Sequence, residues 1–121
     1  MSLTSTIVGD LFEVQTNIKL YHWKTTSFSR HKAADELHEK LMGFGDELIE
    51  TMTMRYGRPA KAHEGVVKLK NLDDEGVLSY LAAYCKKLHG YKFDKSHTDL
   101  HNIRDELLAV VNKTLYLMSL D

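Results

Sequence analysis

The sequence predicts an all-α protein, an antiparallel four-helix bundle, and three features support this prediction. Apolar residues recur at steps of three and four positions through most of the chain, which is the period of an amphipathic helix. No segment alternates apolar and polar residues with period two for long enough to predict a strand. Helix-stop signals, among them Gly57, Pro59 and Gly90, divide the chain into four helical stretches. Four helices with modest connections pack most simply around one core.

The first two helices are separated by the short polar segment KTTSFSR. We expect the first helix between Leu3 and Trp23, with Thr4 or Ser5 as its N-terminal cap. The second helix is expected to follow Ser27 or Ser29 and to end near Tyr56, where Gly57 and Pro59 stop it. The apolar positions of the first helix that carry the prediction are Ile7, Leu11, Val14, Ile18 and Tyr21.

The last two helices are predicted from caps and charge placement. Asn71, followed by acids, is the expected cap of the third helix, which closes at Gly90. The fourth helix is expected from about Leu100 to the region of Met118. A short extra helix through Val66, Val67 and Leu69 is an open alternative within the connection, roughly residues 57–70.

The length and the amino-acid composition limit the number of domains and the classes of binding partner. A chain of 121 residues predicts one domain, residues 1–121. The formal net charge of −1 gives no basic footprint for nucleic acid, and no Lys or Arg precedes Lys19, so DNA binding through a basic tail is not expected. Cys85 is the single cysteine, and no leader-like or membrane-spanning apolar run is evident, so we expect a cytoplasmic protein without a membrane segment.

The second helix carries two polar pairs at the same spacing, His31 with Asp35 and Asp46 with Glu50. At about 100° per residue these four side chains fall within one arc of about 100°, on one face of the helix. The apolar stripe that must enter the bundle core lies on the opposite side. It comprises Leu37, Leu41, Phe44, Leu48 and Met52. The polar face is therefore expected to point toward solvent or a neighbouring subunit.

One chain cannot close a metal site from these pairs. Asp35 and Asp46 are about 16 Å apart along the helix axis, whereas nitrogen and oxygen ligands lie about 2.0–2.6 Å from a divalent ion. A second copy of the helix, laid antiparallel about a two-fold axis near Lys40 and Leu41, brings His31 and Asp35 of one chain opposite Asp46 and Glu50 of the other. The operation does so twice, so a dimer would hold two shared sites.

The ligand set favours iron. Carboxylates with one or two imidazoles and open positions are typical of non-haem Fe(II) centres that react with oxygen or peroxide. Zinc or manganese remain alternative occupants. A solvated helix face without any metal is the competing interpretation of the same residues.

The segment LYHWKTTSFSRHKAADELHEKLMGFGDELIETMTMRYGRPA, residues 20–60, resembles the Dps-like branch of the ferritin superfamily. In that family a His-Trp pair ends the first helix, and an aromatic residue follows in the loop. The second helix then carries a His with an acid, followed by an Asp with a Glu. A Gly, a basic residue and a Pro follow the end of the second helix. The corresponding residues are His22, Trp23, Phe28, His31, Asp35, Asp46, Glu50, Gly57, Arg58 and Pro59. The last helix resembles the family in its apolar pattern.

The resemblance implies a ferritin-like bundle that dimerises through the second helix and assembles into a larger shell. It also implies an intersubunit ferroxidase centre, with His22, His31 and Asp35 from one subunit and Asp46 and Glu50 from its partner, which oxidises up to two Fe(II) ions per site with peroxide or oxygen. The alternative function is a non-enzymatic homo-oligomeric four-helix bundle that keeps a structural or vestigial metal site.

Overall fold

The computed structural model describes residues 2–59 and 67–120. They form four α-helices: α1 (Leu3–Lys24), α2 (Phe28–Tyr56), α3 (Gly76–Gly90) and α4 (Thr98–Met118). The all-α prediction is confirmed for this part of the chain, which contains no strand. None of its helices is both long and apolar enough to cross a membrane.

The helix ends agree with the sequence-based boundaries at α1, α2 and α4, and differ at α3. The Ser27 hydroxyl accepts a hydrogen bond from the Arg30 N–H and caps α2, as predicted, and Gly57 ends that helix with φ of +86°. The cap of α1 is Ser2 rather than Thr4 or Ser5. This shift of two or three residues leaves the helix itself unchanged.

The predicted start of the third helix is wrong. Asn71 does not cap it; its side-chain oxygen accepts a hydrogen bond from Lys24 Nζ at 2.7 Å. The helix begins at Gly76, four residues later than a cap at Asn71 would place it, and the Asp73 carboxylate accepts from the Gly76 N–H at 2.6 Å. The proposed extra helix is not present at Val67 and Leu69, whose backbone is irregular; Val66 lies outside the described residues.

Contacts between the helix ends give the topology. Asp10, near the start of α1, meets Lys87 and Tyr91 of the α3 end, whereas Tyr21, near the end of α1, donates to Asp74 just before α3. α1 and α3 are therefore antiparallel. Arg55, at the end of α2, pairs with Asp99 at the start of α4, so those two helices are also antiparallel.

It follows that α2 and α3 run in the same direction, so the end of α2 and the start of α3 lie at opposite ends of the bundle. In the described chain α1 packs against α2, α2 packs against α4, and α4 packs against α3. The contact between α1 and α3 is the smallest of the contacts between neighbouring helices. Asn17, fully buried on α1, holds the connection in place. Its amide donates to the Lys68 carbonyl at 3.0 Å and its oxygen accepts from the Lys70 N–H at 2.8 Å.

The core joins all four helices, and one glycine sets the spacing of α1 and α2. A Cβ added at Gly45 would lie 3.0 Å from Leu11 Cδ2, so the Leu11 side chain would have to move to make room for it. The apolar stripe predicted for α2 is confirmed, since Leu37, Leu41, Leu48 and Met52 are buried and Phe44 is half-buried. The opposite face is consequently left free to carry polar groups.

Candidate metal centre

The turn between α1 and α2 brings the two predicted histidine ligands into contact. Only residues 25–27 separate the helices, and Ser27 caps α2 at once. The His22 and His31 rings stack with centroids 3.8 Å apart and planes inclined by 17°. His22 Nδ1 lies 2.7 Å from the His31 carbonyl oxygen, and His31 Nδ1 lies 2.7 Å from the His22 carbonyl oxygen.

These reciprocal hydrogen bonds determine where each imidazole carries its proton. A carbonyl oxygen has no hydrogen to donate, so both Nδ1 atoms must be the donors. In the neutral ring the lone pair is then on Nε2. Ligating histidines in metalloproteins are commonly held this way, with one ring nitrogen donating to a backbone carbonyl while the other binds the metal. In both rings Nε2 is thus the nitrogen left without a backbone partner.

Asp35 lies beside this pair, one turn after His31. Its Oδ1 is 3.8 Å from His22 Nε2, and its side chain is 57% exposed. Two ligands about 2.1 Å from a common ion lie roughly 3.0–4.2 Å apart, depending on the angle between them. The observed separation falls within that range, so His22 and Asp35 could share one ion without a change in backbone position.

Lys19 also contacts Asp35, and this residue was not predicted from the sequence. Its Nζ lies 3.5 Å from Asp35 Oδ1 and 5.7 Å from the centre of the Trp23 ring. Because Lys19 precedes His22 by one helical turn, the i,i+3 spacing was the available signal. The ammonium group places a positive charge next to the carboxylate that a metal ion would use.

Asp46 and Glu50 are exposed on the same face of α2 but are not near the histidines. Within the described residues neither carboxylate has a hydrogen-bond or ion-pair partner. Residues 2–59 and 67–120 contain no group of three or more His, Cys, Asp and Glu side chains placed to hold a metal ion. The chain brings His22 into contact with His31 and within 3.8 Å of Asp35, and it leaves Asp46 and Glu50 about three and four helical turns beyond Asp35.

Apolar side chains accompany the polar ones on this surface. Trp23 and Phe28, at the α1–α2 turn, are 69% and 73% exposed, and Met42, midway between the two carboxylate pairs, is 52% exposed. Large apolar side chains are also exposed elsewhere, at Phe12 and Met54, so exposure alone does not mark this surface as a contact. His38, one turn after Asp35, is half-buried, and burial lowers the pKa of its imidazole below the ordinary value.

A protein-family profile described as "Family of unknown function (DUF5856)" matches residues 22–118. The chain belongs to this family. The DUF5856 match covers His22 and the four other predicted ligands and excludes Lys19; the family's description assigns no activity. No curated protein and no solved structure matches the chain.

Proposed function

We propose that this DUF5856 protein binds Fe(II) at sites shared between two antiparallel copies of α2 and oxidises it with peroxide or oxygen, as Dps-like ferritins do. The observation that carries the proposal is the histidine pair, whose Nδ1 atoms are both used by backbone carbonyls. That arrangement leaves Nε2 of both rings as the acceptor atom, and Nε2 of His22 lies 3.8 Å from Asp35 Oδ1. A purely structural histidine stack has no need of an adjacent exposed carboxylate.

The topology supports the same proposal. Four helices with a single long connection between the second and third are the arrangement of ferritin-like folds. Bundles with that arrangement can hold metal ions between helices. Here the core side of α2 is apolar, so a metal site must form on its outer face, where a second subunit can reach it.

The second copy supplies what one chain lacks. Residues 35 and 46 have the same midpoint along α2 as residues 31 and 50. A two-fold axis at that level therefore places Asp35 opposite the partner's position 46 and His31 opposite the partner's position 50 at the same time. Each site would then contain His22, His31 and Asp35 of one subunit with Asp46 and Glu50 of the other. Exposed Met42 lies close to this axis and would be covered by the contact.

The chemistry follows from the donor set. Carboxylates favour Fe(III) over Fe(II) through their charge, and neutral imidazoles fix the geometry while leaving positions open for the oxidant. One peroxide molecule takes two electrons, one from each of two Fe(II) ions, and with two protons leaves as two water molecules. The exposed carboxylates are suited to admit iron as a substrate from solvent and to release it.

A complementation experiment tests both the shared site and the reaction. One variant carries His31→Ala and Asp35→Asn, and the other carries Asp46→Asn and Glu50→Gln. Each alone should lose tight anaerobic Fe(II) binding and rapid oxidation on peroxide addition. When the two are unfolded together and refolded, half of the dimers should be mixed, and each mixed dimer regains one of its two sites, giving about one quarter of the wild-type activity.

A matched control removes the same charge from another part of α2. Glu36→Gln with Glu47→Gln changes two exposed acids that lie about 140–160° from His31 around the helix, and this variant should oxidise iron at the wild-type rate. If the Asp46 and Glu50 variant also oxidises iron at that rate, the ferroxidase proposal is wrong. If iron binds at the site but is oxidised no faster than free iron, the non-enzymatic bundle with a structural metal is the correct alternative.

A further inference from the structure

The charges of α2 are distributed unevenly along its length. Residues 28–34, at its start, contain the cations Arg30 and Lys32 and no acid. Residues 41–54, in its second half, contain the acids Asp46, Glu47 and Glu50 and no Lys or Arg. A second copy that runs antiparallel therefore places the cationic end of one helix opposite the acidic part of the other, whereas a parallel copy places acids opposite acids.

Lys32 is exposed and has no acid partner in the described part of its own chain. Its Nζ lies 5.5 Å from the centre of the Phe28 ring, one turn toward the start of α2. Glu36 follows Lys32 at the i,i+4 spacing that favours ion pairs on a helix. The Glu36 carboxylate is instead 3.8 Å from Lys40 Nζ. The ammonium of Lys32 is consequently available to an acid of another chain.

Glu50 is the acid that the two-fold axis brings to Lys32. Glu50 follows Lys32 by 18 positions, which is about five complete turns, so both residues lie on one line along the outer face of α2. With the axis between residues 40 and 41, position 32 of one copy falls within about 1.5 Å of position 50 of the other, measured along the helix. Helix axes about 8–10 Å apart leave a gap that the two long side chains can span.

The total charge at each shared site shows what the lysines contribute when no metal is bound. Three carboxylates would meet there, Asp35 of one subunit with Asp46 and Glu50 of the other, and together they carry a charge of −3. Lys19, 3.5 Å from Asp35, and Lys32 bring the total to −1. Without these two cations, repulsion between the acids would oppose the approach of the two helices.

We propose that Lys32 pairs with Glu50 of a second copy and that this pair, formed twice in the dimer, holds two α2 helices in the antiparallel register when no metal is bound. The same carboxylate is a proposed iron ligand, so Lys32 keeps the site assembled and its acid neutralised until a metal ion replaces the ammonium. This inference rests on the antiparallel pairing in the proposed function, but it does not depend on iron binding or oxidation.

Charge reversal tests the pair on the full-length protein in a chelating buffer, so that no metal contributes to association. Lys32→Glu and Glu50→Lys each place like charges opposite each other twice in a homodimer. Each variant should therefore dimerise at least roughly tenfold more weakly than the wild type at low salt, as measured by analytical ultracentrifugation. An equimolar mixture of the two variants should form a heterodimer, because both of its pairs then join opposite charges. The double variant, Lys32→Glu with Glu50→Lys, should dimerise as the wild type does.

Two matched controls change the net charge by the same amount at other exposed positions. Lys86→Glu on α3 and Glu47→Lys on another side of α2 should leave dimer formation unchanged. Raising the salt to about 1 M, where the screening length is about 3 Å, should remove most of the difference between the variants and the wild type.

The outcomes separate this inference from the proposed function. A wild-type protein that stays monomeric at about 100 μM in the chelating buffer, or a mixture no more dimeric than its two components, overturns the pairing of Lys32 with Glu50. Rescue in the mixture also shows that both variants are folded. If the variants pair as expected and the wild type still fails to oxidise iron, the ferroxidase proposal alone is wrong.

Discussion

Lys19→Met should tighten metal binding at the candidate centre. The ammonium of Lys19 lies 3.5 Å from Asp35 Oδ1, and an ion held by Asp35 and His22 would lie roughly 5 Å from it. At that separation the repulsion between a single and a double positive charge is about 1.7 kcal/mol at the dielectric constant of water. The lysine side chain is 33% exposed and can rotate away from a bound ion, so the repulsion in the wild-type protein is smaller than this value. We therefore expect dissociation constants about three- to tenfold lower.

Anaerobic calorimetry with Zn(II), which has no redox chemistry, measures this effect without interference from oxidation. The control is Lys40→Met, which removes an equal charge and a similar exposed ion pair, here with Glu36 at 3.8 Å. The advantage of Lys19→Met should shrink as salt is raised, because the screening length falls to about 8 Å near physiological ionic strength. If Lys19→Met binds Zn(II) no better than Lys40→Met at low salt, the metal is not bound next to Asp35.

Three further predictions concern stability. Asn17→Ala removes three hydrogen bonds, two to the connection before α3 and one to Tyr80 within α3. It should lower the free energy of unfolding by about 2–3 kcal/mol in urea denaturation. Asn112→Ala, at an exposed position, should change that free energy by less than about 0.5 kcal/mol. Gly43→Ala adds a methyl group with nothing within 4 Å and should raise the free energy of unfolding by about 1 kcal/mol. Gly45→Ala places its methyl group 3.0 Å from a core leucine, so its free energy of unfolding should be about 1–3 kcal/mol lower than that of Gly43→Ala. Equal free energies of unfolding for the two variants would contradict this packing. Burial lowers the pKa of His38 in the folded protein, so protonation of His38 favours the unfolded state. The free energy of unfolding should therefore fall as the pH drops from above about 6.5 through the lowered pKa. His38→Gln should reduce this pH dependence.

The sequence was sufficient for the helices because their signals are local. Apolar residues at steps of three and four gave the core face of α2, and Ser27 and Gly57 gave its ends. The start of α3 could not be fixed this way, since the stretch NLDDEG offers several residues that can cap a helix. Which one does so depends on tertiary partners: Lys24 of α1 engages Asn71, and Asp73 is left to accept the Gly76 N–H.

The side chains on the outer face of α2 could be predicted from the sequence, but their contacts with α1 could not. The i,i+4 pairs on α2 showed which side chains share its outer face, and their exposure agrees with that expectation. The reciprocal bonds of His22 and His31 depend on the length and shape of the turn, and the approach of Lys19 depends on the packing of α1 on α2. Neither can be derived from the periodicity of one helix. The pairing of two subunits stays a prediction, because it concerns a second copy of the chain.

A disulfide across the proposed two-fold axis is the most direct test of the shared site. With Cys85→Ser as background, Met42→Cys places a thiol on the outer face of α2 close to the axis. For antiparallel helices about 9 Å apart, the two Cα atoms would be roughly 6–7 Å from each other, within reach of a disulfide. We predict rapid, nearly complete cross-linking of Met42→Cys under mild oxidation and little for Glu47→Cys, which is exposed on another side of the same helix. A Met42→Cys protein that stays monomeric, or cross-links no faster than Glu47→Cys, would contradict the account.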